Sequence, residues 1–69
     1  MTTSTPPQIR LANDIAAQFP HVPAEEAAER IATHIRLFWD PRMREDLLRL
    51  ARTESDTLDP RALAATELL

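Results

Sequence analysis

Few side chains in these 69 residues could do chemistry beyond packing. His21 and His34 are the two imidazoles, and they are not spaced like a two-histidine metal pair on one helix face. With no cysteine in the chain, any metal would rest on carboxylates alone. Acid–base catalysis needs a histidine or carboxylate held in a pocket opposite a reacting group, and no such constellation is present. Glu25 and Glu26 sit where a helix dipole favours acids, and His34 falls about 100° from the apolar residue Ile35, on the flank of a helix. The complete absence of glycine removes the phosphate-binding loops. What remains is the stretch "LFWDPRMR", in which Leu37, Phe38, Trp39, Arg42, Met43 and Arg44 combine the residue types that dominate binding hot spots. The chemistry on offer is recognition, not catalysis.

The elements that must position this stretch are helices. Prolines mark helix starts, because the first turn needs no N–H from them. A first helix is expected from Thr5 as N-cap, with Pro6 in the first position and Gln8 closing a capping box. Leu11, Ile15 and Phe19 form its stripe, widened by Ile9, Ala12 and Ala16, while Arg10, Asn13 and Asp14 point away. A second helix runs from Pro23 or Ala24 to Phe38 or Trp39, with Ala24, Ala28, Ile31, Ile35 and Phe38 at helix-packing spacing. Asp40 caps and Pro41 opens a third, since a residue before proline is pushed out of the helical region. Its inner stripe is Met43, Leu47, Leu50 and Ala51, and Arg42–Asp46 and Glu45–Arg49 have the spacing of exposed ion pairs. After the polar loop "TESDT" the device recurs. Asp59 caps, Pro60 takes the first position, and Leu58 and Leu63 have the spacing of a hydrophobic staple. The expected fold is all-α: a three-helix small bundle or helical hairpin plus a short fourth helix, with residues 5–69 as one domain and 1–4 as a disordered tail.

At this size one core seldom contributes more than roughly 3–5 kcal/mol net, and small folds recruit a disulfide, a metal or a partner. Without cysteine and without a metal pair, a partner chain remains. The formal charge of −3, from eight basic and eleven acidic residues, argues against a polyanion binder, and the third helix alternates Arg42, Glu45, Asp46, Arg49 and Arg52 with no single basic face. All eight basic residues are arginine. That reads first as a GC-rich genome and second as a preference for forks that suit protein interfaces. No apolar run reaches a membrane span and the start "MTTSTPPQ" lacks a signal-peptide pattern, so a cytoplasmic setting is expected.

Two placements are open for the aromatic pair. Measured from Ile35, Phe38 falls about 60° to one side and Trp39 about 40° to the other. Both rings plug the core, or one of them faces a partner, since so small a core has little room for two. Leu37 points about 160° from Ile35, and with Trp39, Leu68 and Leu69 it makes an apolar perimeter that a lone chain would struggle to cover.

"IRLANDIAAQF" over residues 9–19, "IATHIRLFWDPRMREDLL" over 31–48 and the final "LDPRALAATELL" together resemble the delta subunit of soluble NAD-dependent, molybdenum-containing formate dehydrogenases. The Phe-Trp-Asp-Pro-Arg-Met string is quite specific for its length. Leu11 stands where that family often has methionine, Asp14 where it has a neutral amide, and glycines before Leu-Asp-Pro are missing, which bears on the loop over residues 53–57. The resemblance implies an accessory subunit without catalytic residues, assembled with a large alpha subunit and with flavin and iron–sulfur subunits that oxidise formate to carbon dioxide and reduce NAD. It also implies that molybdenum bis-pterin guanine dinucleotide, iron–sulfur clusters, FMN and NAD are held elsewhere in the complex. On this reading Trp39, Leu37 and Met43 dock on the alpha subunit while Arg42 and Arg44 meet its carboxylates. A transient maturation factor and a small self-associating or regulatory helical protein are the rival readings, and a homo-oligomer is expected to be possible for the isolated chain.

Overall fold

A computed structural model describes residues 5–69; the expected tail over residues 1–4 lies outside them. Among the described residues are four α-helices and one 3-10 turn, with no strand: α1 (Pro7–Ala16), α2 (Ala24–Phe38), α3 (Pro41–Thr53), the turn Ser55–Thr57, and α4 (Pro60–Thr66). The fold is all-α, as its patterning predicts.

α1 starts one residue later than a Thr5 cap requires. Pro6 precedes Pro7 and is pushed to ψ 143°, so the helix begins at Pro7 with Pro6 in the cap position and no side-chain cap bond. Gln8, released from any capping box, donates from Nε2 to Asp46 Oδ2 on α3 at 3.5 Å. The buried stripe is Ile9, Ala12, Ile15 and Ala16, and Leu11, expected inside, is 43% exposed. The chain then tightens, with the N–H groups of Gln18 and Phe19 bonding carbonyls three residues back, before Pro20 ends it.

α2 supplies the centre of the core through Ala27, Ala28, Ile31, Ala32 and Ile35. Ala24 and Phe38, expected on this stripe, are exposed. α3 contributes Leu47 fully, with Met43, Leu50 and Ala51 half-buried against the core. The expected outer pairs Arg42–Asp46 and Glu45–Arg49 give way to Asp46–Arg49 at 2.6 Å, at a spacing of three residues instead of four. Asp46 serves Arg49 and Gln8 at once, which leaves Arg42 without it.

Without glycine, the chain turns from α3 to α4 at negative φ throughout. Glu54 (φ −135°, ψ 43°) ends α3, and its carbonyl accepts from both the N–H and the hydroxyl of Thr57, closing the 3-10 turn. α4 packs most extensively against α2, through Leu58, Ala62 and Ala65, with Leu63 partly buried beside them as the staple spacing requires. Its small residues permit a close approach of the two helices. The Cα radius of gyration, 11.3 Å, matches the roughly 11 Å expected for a compact chain of this length, so all four helices share one core rather than forming an extended hairpin.

Candidate docking surface

The corner "FWDPRMR" is built around two local devices. Asp40 Oδ1 accepts from the Met43 N–H at 2.8 Å, and Pro41 occupies the first helical position of α3. Such a cap contributes about 1 kcal/mol. Trp39, at the end of α2, adopts extended backbone (φ −98°, ψ 142°), because a chain approaching Asp40-Pro41 must leave the helix. That departure swings its ring inward. Trp39 is 8% exposed and belongs to the core cluster. Of the two placements open for the aromatic pair, Trp39 takes the core one.

Its neighbour goes the other way. Phe38 is 72% exposed and Leu37 71%. His34, one turn earlier on the same side of α2, lies against Phe38 with ring centroids 4.7 Å apart and planes tilted by 41°. His34 is exposed, and its contact leaves the Phe38 ring largely uncovered. Arg42 is exposed beyond the corner, and Arg44 is half-buried. Neither makes an ion pair among the described residues. Met43 is half-buried against the core, so its contribution to any outer surface is an edge.

The second Asp-Pro-Arg behaves differently from the first. Asp59 Oδ1 accepts from the Arg61 N–H at 2.9 Å, which caps α4, and Pro60 takes its first position. The Arg61 guanidinium then grips the same carboxylate by two bonds, Nε to Oδ1 at 3.0 Å and Nη2 to Oδ2 at 2.9 Å, while Nη1 donates to the Phe19 carbonyl at 2.8 Å. These bonds outweigh partial burial and hold the Asp59 carboxyl below its ordinary value of 3.8. Arg42, in the equivalent place of the first copy, is left pointing to solvent. The same tripeptide is a clamp at one corner and a free cation at the other.

Asn13 was expected to face water. Instead its Nδ2 donates to the Thr57 carbonyl at 3.0 Å and its Oδ1 accepts from the Asp59 N–H at 2.8 Å, so the amide spans Leu58 and seats it in the core. Asn is a poor residue for a helix interior because its side chain competes for backbone groups, and that was the available signal. Arg36, also unmarked by the pattern, donates to the Leu68 carbonyl at 2.8 Å and ties α2 to the end of the chain.

Among the described residues no group of three or more His, Cys, Asp or Glu is placed to hold a metal ion, and no helix is long and apolar enough to cross a membrane. A four-helix chain with one small core, a glycine-free backbone and an exposed leucine–phenylalanine step is a small all-helical protein. Its family is defined by sequence. The chain belongs to the family described as NADH-dependant formate dehydrogenase delta subunit FdsD, which matches residues 8–66, the same stretches that carry the resemblance. No curated protein and no solved structure matches it.

Proposed function

We propose that this chain is a non-catalytic accessory subunit that docks on the cofactor-bearing alpha subunit of an NAD-dependent formate dehydrogenase and stabilises the assembled complex in the cytoplasm. Family membership supplies the complex. The observation that carries the docking role is the exposure of both Leu37 and Phe38 at the end of α2. Burying each of two such side chains is worth about 1.5–3 kcal/mol, and the preset position of the helix lowers the ordering cost. Arg42 and Arg44 flank the step with donors that suit carboxylates on a partner, and Met43 fills the edge between them. Trp39 acts from behind by holding the corner in place. The chain acts as one folded unit over residues 5–69, and neither nucleic acid nor membrane enters its function.

The complex's molybdenum bis-pterin guanine dinucleotide, iron–sulfur clusters, FMN and NAD belong to the other subunits on this reading. A chain without cysteine does not fit an iron–sulfur cluster, and one without glycine does not fit a phosphate loop. Oxidation of formate to carbon dioxide and reduction of NAD therefore take place away from this chain.

The test is co-purification from the native cells. Tagged wild-type chain is expected to retain the alpha subunit at fixed ratio, with formate-dependent NAD reduction in the same fraction. The Leu37→Ala/Phe38→Ala variant should lose both. Retention of complex and activity by that variant overturns the docking surface. Recovery of the alpha subunit only from cells still loading its cofactor, with none of this chain in active enzyme, would make it a maturation factor instead.

A further inference from the structure

The far end of α2 carries the complement of the Leu37–Phe38 step. Between α2 and α4 lies a groove of about 240 Å³ lined by Glu25, Ala28, Glu29, Ala64, Glu67 and Leu68. Its floor and wall are apolar: two alanines and the half-exposed Leu68. Its rim is three exposed carboxylates, none of them in an ion pair among the described residues, because Arg30 is already taken by Glu26. A dry cavity of about 150 Å³ accommodates a benzene ring, so the groove has room for a phenyl group. The groove asks for an aromatic side chain accompanied by a cation. Phe38, with the exposed Arg42 four residues on across the Asp40-Pro41 corner, supplies those two side-chain types.

Phe38 cannot reach the groove of its own chain. From Glu29 to Phe38 is about 13 Å along the helix axis and about 180° around it, so step and groove face opposite ways. We propose that a second copy of this chain seats its Leu37–Phe38 step in the groove, with Arg42 against the Glu25, Glu29 and Glu67 carboxylates, giving head-to-tail self-association of the free protein. Such a contact is heterologous: each assembly keeps one open step at one end and one open groove at the other, and further copies add. Self-association covers the exposed step whenever no other protein does. The inference concerns the isolated chain and stands or falls separately from which subunit the step meets in the enzyme.

Sedimentation equilibrium of the full-length chain tests it. The wild-type protein is expected to gain mass with concentration, past the dimer, most strongly at about 0.01 M ionic strength, where the Debye length reaches about 30 Å, and less at 1 M. Phe38→Glu removes the step and Glu25→Arg/Glu29→Arg removes the groove. Each variant alone should stay monomeric, and an equimolar mixture should form a one-to-one dimer and go no further, since the only intact step meets the only intact groove. Circular dichroism checks that both keep their helices; Phe38→Ser and Glu67→Arg replace a variant that does not. A groove variant that associates like wild type would mean that step packs on step, and it overturns the proposal. So does a mixture that remains monomeric, or a wild-type protein that is monomeric at its highest soluble concentration.

Discussion

Phe38 and Trp39 are adjacent in sequence and opposite in environment: the first ring is 72% exposed and the second 8%. A single step along the chain, at the end of α2, separates an exposed side chain from a core side chain. Truncating them should therefore have unlike consequences. Trp39→Ala is expected to cost about 3–5 kcal/mol, as for large aromatic truncations in cores. A chain of this length has a total stability of about 3–10 kcal/mol, so the variant should be partly unfolded at ambient temperature. Phe38→Ala should move stability by less than about 0.5 kcal/mol. Urea unfolding followed at 222 nm separates the two, and equal losses would refute the division of roles.

Asn13 anchors the approach to α4 through backbone on both sides of Leu58. Replacing it by alanine leaves the partly buried Asp59 N–H without its acceptor. The expected cost is about 1–3 kcal/mol, despite a gain in helix propensity for α1. For a domain of this size each kcal/mol is worth about 4–8 °C in Tm. A thermal melt of Asn13→Ala unchanged from wild type would remove the amide from the fold's support.

Asp59 makes stability depend on pH in one direction. Its carboxyl is held below the ordinary 3.8, chiefly by the Arg61 side-chain hydrogen bonds. The unfolded chain therefore binds the proton first, and unfolding is favoured as it does so. The contribution of Asp59 is present above the unfolded pKa and is lost as pH falls through the folded one. Melts of wild type should decline from about pH 5 downward. Asp59→Asn should be less stable at neutral pH and show a shallower decline, and parallel curves for the two proteins would contradict the linkage.

The N-caps of α1 and α3 differ. Asp40→Ala removes the acceptor of the Met43 N–H and is expected to cost about 1 kcal/mol. Thr5→Ala should cost nothing measurable, since no side chain caps α1. Paired chemical-denaturation curves check both, and a loss on Thr5→Ala would show that α1 begins earlier than Pro7.

Local chemistry made much of this fold legible without coordinates. Asp40-Pro41 and Asp59-Pro60 define helix starts by the steric rule on residues before proline and by short-range capping, and both operate within four residues. The Ile31–Ile35 stripe is likewise readable, because helical periodicity is a property of the segment itself. The same rule, applied to Pro6-Pro7, would have moved the start of α1 off Thr5. The stretch 31–48 also carried the family assignment by its residues alone.

The direction of single side chains was another matter. Phe38 and Trp39 straddle the stripe by similar angles, and which one goes inside depends on the extended backbone at Trp39 and on the place of α4 beside α2. Leu11 lies outside because α1 presents Ile9, Ala12 and Ile15 to three other helices. Asn13 finds the backbone of residues 57 and 59, and Arg61 the carbonyl of Phe19, across more than forty residues of sequence. Arg42 and Arg61 follow identical Asp-Pro pairs, yet among the described residues only Arg61 bonds a distant carbonyl, that of Phe19 in the connection after α1. Helix starts and stripes are set by neighbours along the chain, so the sequence alone determined them. The partners of Asn13 and Arg61 are set by neighbours in space, and only the packed structure brings those together.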